Sequence, residues 1–310
     1  MTVNQTARPT TRPRRDEAAT TPKKRKKKSP YPYWFYLPAA AIYAVLFLLP
    51  TFASFFFSLT RWTIFNATFI GFGNFVQFFQ EPALVTGLKN TIIYAVLTSG
   101  LKVVLGMLFG VLLTSKIIAR GFLRSVLFFP VLLSSIGVGI MFSVLMDPDK
   151  GLINEVLAVV GIQGPAWLAD PHWALFSIAF VDVWKGVGLA TVIYIAGIVS
   201  IPQEYYEAAR VDGAGSFKVF WNITIPLARP ATTTVIILSL IGGLRSFDLI
   251  WAMTQGGPGF ASDVVASVIY KQYQAGFYGL STAGNVVLFV IITAIVLPLS
   301  IFLNRKEVEQ

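Results

Sequence analysis

Residues 201–226 read IPQEYYEAARVDGAGSFKVFWNITIP and form a long polar stretch between two strongly apolar segments. The first part, Gln203 to Val211, consists mostly of good helix formers. Gly213 and Gly215 follow it and should stop the helix, because glycine adopts backbone conformations that end helices. The sequence therefore predicts a short helix followed by a glycine bend.

A second short helix is expected after the bend. Ser216 is a suitable N-cap for it. Helical spacing places three aromatic residues on one of its faces: Phe217, Phe220 and Trp221. Pro226 and Pro230 should end this helix before the next apolar segment begins.

The chain around this stretch is too apolar for a soluble domain. Of its 310 residues, 55% are hydrophobic and 13% charged, and the mean hydropathy is +0.66. A membrane-spanning helix needs about 20 mostly apolar residues. Six such runs occur, at roughly Tyr36–Leu59, Asn90–Thr114, Phe122–Met146, Trp173–Ser200, Ala231–Thr254 and Ala283–Leu303. We therefore expect an all-α, multi-pass membrane protein with six transmembrane helices.

The distribution of Lys and Arg predicts the orientation of these spans. With the N-terminus inside, the cytoplasmic segments hold 18 of the 25 Lys and Arg residues and the external segments hold four. Lys102, Lys185 and Arg245 lie within spans. Because cytoplasmic loops carry the excess of cations, both termini and the 201–226 stretch are expected in the cytoplasm.

Residues 1–30 are rich in Thr, Pro and cations and lack apolar periodicity. This composition predicts a disordered basic tail, ahead of a transmembrane domain over residues 31–310. The run Lys23–Lys28 could bind nucleic acid. A membrane-surface cluster is the favoured interpretation, because juxtamembrane cations gain about 1 kcal/mol each near anionic lipid. No nucleic-acid partner is expected.

Two interpretations of the 201–226 stretch follow from its residues alone. It could be an amphipathic pair of helices that rests on lipid headgroups. Small residues such as Ala208, Ala209 and Gly213 instead favour close contact with another protein, and Glu207 would face anionic lipid unfavourably.

A motif within this stretch carries a family resemblance. Its residues are, in order, Glu207, Ala208, Ala209, Asp212, Gly213, Ile223 and Pro226. Their spacing resembles the EAA loop of bacterial ABC importer permeases, and Asp212-Gly213-Ala214 resembles its carbohydrate-type form. The family pattern usually ends in Ile-x-Leu-Pro, whereas this chain has Ile-Thr-Ile-Pro, which keeps an apolar residue.

Weaker signatures extend the resemblance over about Leu37 to Lys306. They are Gly71-Phe-Gly-Asn74-Phe75, Asn90-Thr91, Phe129-Pro130, Gly151-Leu-Ile-Asn154, Val183-Trp-Lys-Gly186, Phe247-Asp248 and Thr254-Gln-Gly-Gly-Pro258. The last two resemble segments of maltose-type and glycerol-phosphate-type permeases, which belong to the carbohydrate-uptake group.

The resemblance implies a transporter subunit in the bacterial cytoplasmic membrane. The EAA loop would form a coupling helix in a groove of a cytoplasmic ATPase dimer, with Glu207 facing an Arg or Lys of the ATPase. It also implies a second permease, an extracellular solute-binding protein and a sugar or polyol substrate. No G-x-x-x-x-G-K-[ST] phosphate loop occurs. We therefore expect no enzyme activity and no cofactor in this chain, with ATP and Mg on the partner ATPase.

Ionisable residues inside the spans need a physical reason, because each costs about 2.5–3.5 kcal/mol at membrane depth on insertion scales. Asp182 with Lys185, and Arg245 with Asp248, are three residues apart and could neutralise each other along one helix face. Lys102 stands alone in the second span and could face either a pore or the second permease.

The same residues could instead line a water-filled substrate path. Sugar hydroxyls need fixed donors and acceptors, and Trp184 and Trp251 could stack on the sugar rings. The candidate path residues are therefore Asp182, Trp184, Lys185, Arg245, Asp248 and Trp251.

The external connection 147–171 could be either a docking surface for the binding protein or a capping loop. The stretch Gly256–Gly259 is expected to be a turn that leaves the membrane. Two other classes stay open: an ion- or proton-coupled secondary transporter and an intramembrane enzyme. The spans show no unpaired carboxylate of the kind the former needs, and no catalytic arrangement for the latter.

Overall fold

The computed structural model describes residues 33–63 and 65–305. The basic tail predicted at residues 1–30 lies outside them. The described part divides into two units, one ending at Leu48 and one beginning at Leu49. The first unit contains a 3-10 turn at Tyr33–Tyr36, helix α1 at Leu37–Tyr43 and a π-helical turn at Ala44–Leu48.

The second unit is mostly helical. A short antiparallel hairpin, β1 (Thr60–Trp62) and β2 (Ala67–Phe69), pairs Thr60 with Phe69. The helices are, in order, α2 (Leu49–Ser58), α3 (Gly73–Gln80), α4 (Pro82–Thr114), α5 (Arg120–Phe128), α6 (Ser135–Leu145), α7 (Leu152–Val159), α8 (Ala174–Val199), α9 (Gln203–Val211), α10 (Ser216–Val219), α11 (Ile225–Leu227), α12 (Arg229–Leu244), α13 (Asp248–Thr254), α14 (Val265–Gln274) and α15 (Tyr278–Arg305).

Within the described residues, four helices are long and apolar enough to cross a membrane. They are Trp34–Ser58, Pro82–Thr114, Ala174–Val199 and Tyr278–Arg305. Two bent pairs bring the candidates to six if each pair counts as one span: Arg120–Leu132 with Ser135–Leu145 at 98°, and Ser216–Leu227 with Arg229–Leu244 at 68°. The predicted helical, membrane-spanning architecture is thus confirmed, but the third and fifth spans are not the continuous helices that the sequence indicated.

The third predicted span, Phe122–Met146, is interrupted near its middle. A 3-10 turn at Phe129–Leu132 contains Pro130, Leu133 is extended, and Ser134 is non-helical before α6 begins. Proline lacks the backbone N–H and crowds the preceding turn. The apolar composition continues through this break, which explains why hydropathy alone did not reveal it.

The fifth predicted span, Ala231–Thr254, is also interrupted. Helix α12 ends at Leu244, the chain is non-helical at Arg245–Phe247, and α13 begins at Asp248. Each helix end leaves backbone groups without intrahelical partners. The break therefore introduces polar backbone where a continuous span would have none.

Helices α4 and α8 form the centre of the second unit. A Cβ atom added at Gly106 would lie 2.8 Å from the Cβ of Ala190, and one added at Gly110 would lie 2.7 Å from the Cβ of Tyr194. Because both distances are shorter than real side chains allow, only glycine permits this approach. Small residues four apart are typical of closely packed membrane helices.

The loop between α13 and α14 is fastened to α4. The Asn90 side-chain amide donates to the carbonyls of Ala261 at 3.0 Å and Asp263 at 2.9 Å. The first backbone N–H of α14 donates to Thr91 Oγ1 at 2.9 Å. A turn is present at Gly256–Gly259 as predicted, and its position at the membrane boundary stays a prediction. The Asn90-Thr91 signature thus satisfies backbone groups of a distant loop.

Candidate functional site

The 201–226 stretch forms the two predicted helices. Helix α9 spans Gln203–Val211 and is followed by the glycine bend. Gly213 has a φ of +70°, in the left-handed region that favours glycine, and an added Cβ atom there would meet open space. Gly215 has a φ of −70°, which other residues adopt. The bend therefore depends on Gly213 rather than on both glycines.

The second helix differs from the prediction at both ends. Gly215, not Ser216, is the N-cap residue, and no side chain caps the helix. It continues through a π-helical turn at Phe220–Thr224 and ends at Leu227, so Pro226 lies inside it. The π turn provides a place where the missing N–H of proline is tolerated. Pro230 instead lies in the first turn of α12.

The motif residues separate into an exposed and a half-buried group. Glu207, Ala208, Asp212 and Gly213 are exposed and Ala209 is half-buried. The carboxylates of Glu207 and Asp212 form no ion pair with any residue that the structure describes. This part of α9 thus presents small residues and free negative charge at the surface.

The second helix of the loop contains Ile223 and Pro226, which are both half-buried. The two helices of the loop approach each other where the Tyr206 hydroxyl lies 3.4 Å from Thr224 Oγ1, and Thr224 is buried. Phe220 and Ile225 of this second helix pack against buried residues of α4, α8 and α12, so the second helix anchors the loop while most of α9 remains accessible.

Lys102 and Asp182 form an ion pair between α4 and α8. Lys102 Nζ lies 2.7 Å from Asp182 Oδ2, and the side chains are 10% and 19% exposed. The predicted pairing of Asp182 with Lys185 is therefore wrong. Lys102 instead pairs with a carboxylate 80 positions away, a partner that sequence spacing could not reveal.

Gly186 makes room for this ion pair. A Cβ atom at Gly186 would lie 2.6 Å from Cε and 3.0 Å from Nζ of Lys102. Any side chain at this position would press on the lysine. The Val183-Trp-Lys-Gly186 signature thus contains the residue that lets Lys102 reach Asp182.

Arg245 and Asp248 lie on opposite sides of the break in the fifth span. The predicted pairing along one helix face is wrong, because the helix ends between them and the structure shows no ion pair between these two side chains. Both are exposed, and with Asp182 and Ser246 they line a cavity of about 210 Å³. Three of the six candidate path residues therefore meet at one cavity.

An aromatic group lies beside that cavity. Trp251 stacks with Phe247 at a centroid distance of 5.7 Å, and Tyr270 packs edge-on to Trp251 at 4.8 Å. Phe247, Asp248 and Trp251 line an adjoining cavity of about 290 Å³. Trp251 thus joins the site, together with Phe247 and Tyr270, which the sequence analysis had not included among the candidates.

Trp184 and Lys185 are not among the residues that line these cavities. Trp184 packs edge-on to Phe142 at 5.2 Å, against the apolar core between α6 and α8. Lys185 is half-buried on the same helix. The structure therefore places these two candidates apart from the other four.

The external connection 147–171 is internally bonded. The Asn154 amide donates to the carbonyls of Pro148 and Pro165, and Trp167 Nε1 donates to Asn154 Oδ1 at 2.7 Å. The backbone N–H groups of Lys150 and Asp149 stabilise the Asp147 carboxylate and lower the pKa of this exposed group. Asn154 thus organises a folded loop around α7.

Asp263 is a buried acid that the sequence analysis missed. Its side chain is 0% exposed and pairs with Lys271 at 2.7 Å. Ser267 Oγ donates to the same carboxylate at 2.7 Å. Ser267 and Lys271 follow Asp263 by four and eight residues, and this helical spacing was the signal in the sequence that the three side chains share one face. Among the residues that the structure describes, no cluster of His, Asp and Glu could hold a metal ion.

The chain is similar to proteins of known type over most of its length. Residues 102–305 match the family described as the binding-protein-dependent transport system inner membrane component. The chain is 33% identical over 284 residues to the probable ABC transporter permease protein YurN of Bacillus subtilis, covering 89% of this chain and 97% of that protein. It is 31% identical over 262 residues to the trehalose/maltose transport system permease protein MalF of Thermococcus litoralis, covering 84% and 89%.

A solved structure has the same fold. It is the crystal structure of a bacterial ABC transporter involved in the import of the acidic polysaccharide alginate, with a TM-score of 0.76 and 23% identity. The match covers 88% of this chain and 94% of that chain. The family match and the two relatives set aside the secondary transporter and intramembrane enzyme alternatives. This chain belongs to the binding-protein-dependent transport system inner membrane family and is a membrane permease subunit of an ABC importer, in which ATP hydrolysis resides on a separate subunit.

Proposed function

We propose that this chain forms, with a second permease, the path by which a sugar or related polyol crosses the bacterial cytoplasmic membrane. Relatives named for trehalose/maltose and for arabinooligosaccharides, the latter from Bacillus subtilis and 30% identical over 280 residues, support this substrate class. A sugar carries many hydroxyls and apolar ring faces. The cavity with Asp182, Arg245 and Asp248 offers polar partners, and the neighbouring Trp251 offers a stacking surface.

The single observation that carries the coupling role is the exposed face of α9. Glu207, Ala208 and Asp212 lie at the surface with no cation beside either carboxylate among the described residues. Small side chains permit close approach, and a free carboxylate suits an Arg or Lys of another protein. This face is the proposed contact with a cytoplasmic ATPase dimer, which binds ATP and Mg in place of this chain.

Six spans with both termini in the cytoplasm give the topology that this role needs. In this arrangement the bent pair Arg120–Leu132 with Ser135–Leu145 counts as one span and α12 with α13 forms the fifth span. The positive-inside rule then puts the 201–226 loop in the cytoplasm. Residues 31–310 then form one permease domain behind the basic tail at 1–30. The folded connection 147–171 lies outside, where it would dock a solute-binding protein.

The free energy needed to switch a transporter between two states requires a firm connection between the loop and the spans. Shifting a two-state transporter from 1:99 to 99:1 takes about 5.5 kcal/mol of differential interaction. Phe220 and Ile225 of the second loop helix pack against a cluster of buried residues from α4, α8 and α12, and this packing holds the loop to the spans. We infer that nucleotide-driven movement of the ATPase reaches the substrate path through this contact.

Two glycines provide a matched test of the coupling loop. An Ala at Gly213 would need the left-handed conformation, which costs about 1–2 kcal/mol, whereas Gly215 has an ordinary φ. Both sites face open space, so neither substitution creates a clash. In proteoliposomes with the binding protein and ATPase, G213A should abolish ATP-dependent uptake at normal membrane abundance, and G215A should transport. Equal uptake by both variants would refute the assignment.

The charge of Glu207 is tested separately. E207Q keeps the side-chain size and removes the carboxylate, so the ATPase should copurify less with the permease and uptake should be lost. E81Q, at the residue that precedes α4, makes the same change in net charge and should leave both unchanged, because the Glu81 side chain caps no helix and forms no ion pair among the described residues. Normal uptake by E207Q would show that this carboxylate does not contact the ATPase.

A further inference from the structure

A cavity of about 410 Å³ lies between the 201–226 loop and the ends of α4 and α8. On the membrane side it is lined by Val111 and Ser115 of the α4 end and by Ile198 and Val199 of α8. Its volume is within the range of about 300–1,000 Å³ that holds small organic ligands. Val199 is 68% exposed, so the cavity opens toward the outer surface of α8.

The loop side of the cavity is polar. Gln203, Tyr206, Arg210 and Ser216 line it. Arg210 forms no ion pair within residues 33–63 and 65–305, and its guanidinium offers five N–H donors. Among the described residues, the Tyr206 hydroxyl has a single polar contact, at 3.4 Å from Thr224 Oγ1. The cavity is therefore lined on one side by the unpaired guanidinium of Arg210 and on the other side by apolar side chains of α4 and α8.

These two walls match an amphipathic anion. A phosphate accepts hydrogen bonds from a guanidinium in a bidentate manner. Val111, Ile198 and Val219 offer apolar surface for the carbon chain next to that phosphate. The cavity lies where two membrane helices end, which is the level of lipid headgroups.

We propose that this cavity binds a glycerophospholipid of the cytoplasmic leaflet, with its phosphate on Arg210 and its acyl chains leaving past Val199. The proposal rests on the proposed cytoplasmic position of the 201–226 loop. The bound lipid would touch α4, α8 and both helices of the loop at once. It would thus hold the ATPase-contacting loop to the spans that carry the Lys102–Asp182 ion pair.

Lipid retention provides the direct test. The importer complex is assembled in nanodiscs of phosphatidylglycerol and phosphatidylethanolamine and extracted with mild detergent, and phospholipid bound to the permease is counted by native mass spectrometry. Wild type should retain one phospholipid per chain. R210Q should retain about tenfold less, which corresponds to the loss of one charge-assisted contact.

Two further variants control for charge and for shape. Lys218 is exposed on the same loop and does not line the cavity, so K218Q should retain lipid as wild type does. V111W fills the cavity from α4 without changing charge and should lose the lipid. R210K keeps the positive charge, so it should retain more lipid than R210Q. This difference would show that the loss in R210Q is due to the missing charge and not to misfolding.

Several results would overturn the proposal. Equal lipid retention by wild type and R210Q would exclude the phosphate contact, and equal loss in K218Q would reveal a general charge effect. Displacement of the lipid by inorganic phosphate alone would show that the site selects the free anion. Counting bound lipid does not require transport, whereas G213A and G215A test the coupling role by uptake. A failure of the lipid proposal can therefore be distinguished from a failure of the coupling role.

Discussion

Replacing Lys102 by Met isolates the energetic contribution of the ion pair between α4 and α8. The substitution keeps a long apolar stem and removes the ammonium group that lies 2.7 Å from Asp182 Oδ2. The carboxylate is then left without its cation in a largely buried position. Orphaning one member of a buried pair costs about 3–5 kcal/mol.

The structure narrows this range. The Asp182 side chain is 19% exposed and borders a cavity of about 210 Å³, so water can partly solvate it after the lysine is gone. We therefore expect K102M to lower the free energy of unfolding by about 3 kcal/mol, at the lower end. D182N should cost more, because Lys102 is only 10% exposed.

A double-mutant cycle measured by SDS-induced unfolding in mixed micelles provides the assay. The K102M/D182N protein contains no orphaned charge, so its loss should be smaller than the sum of the single losses by about 2 kcal/mol or more. K185M removes a cation from the same helix region and should cost less than about 1 kcal/mol. Single losses that add within about 0.5 kcal/mol would refute the proposed pairing.

Three further outcomes follow from other contacts. G186A should lower the melting temperature, because its Cβ atom would lie 2.6 Å from Cε of Lys102. G100A on α4 is the control: its Cβ atom would meet open space, so the substitution should be neutral or stabilising by up to about 1 kcal/mol. N90A should cost about 1–3 kcal/mol and expose the α13–α14 loop to protease, since two loop carbonyls lose their donor. K271M should reduce the free energy of unfolding by about 3–5 kcal/mol and lower the melting temperature, because the Asp263 side chain is 0% exposed and would lose its cation. An unchanged melting temperature would show that the hydrogen bond from Ser267 alone is enough to stabilise the Asp263 carboxylate.

Much of the fold could be predicted because lipid requires long apolar segments, and such segments are visible in composition. The fourth predicted span corresponds closely to α8, and the second lies within α4, which begins earlier, at Pro82. The breaks at Leu133–Ser134 and Arg245–Phe247 could not be predicted by hydropathy, because apolar residues continue on both sides. A window average reports the content of a segment and not the continuity of its helix.

The candidate site was predictable where local sequence determines the geometry. The left-handed backbone at Gly213 follows from a glycine placed directly after a helix. The intramembrane pairs were not predictable, because short spacing suggested partners on the same helix while Asp182 pairs across to α4. Long-range contacts of this kind depend on how two helices face each other, which no local pattern contains.

The space that Gly186 leaves for Lys102 has a consequence for related sequences. The two positions are 84 residues apart but share one small volume, so they should vary together rather than separately. A permease with Ala or Ser at the position of Gly186 should carry a shorter residue than lysine at the position of Lys102. A permease that lacks this lysine should also have an uncharged residue in place of Asp182. A correlation among three positions in two different helices would then record the geometry of one ion pair.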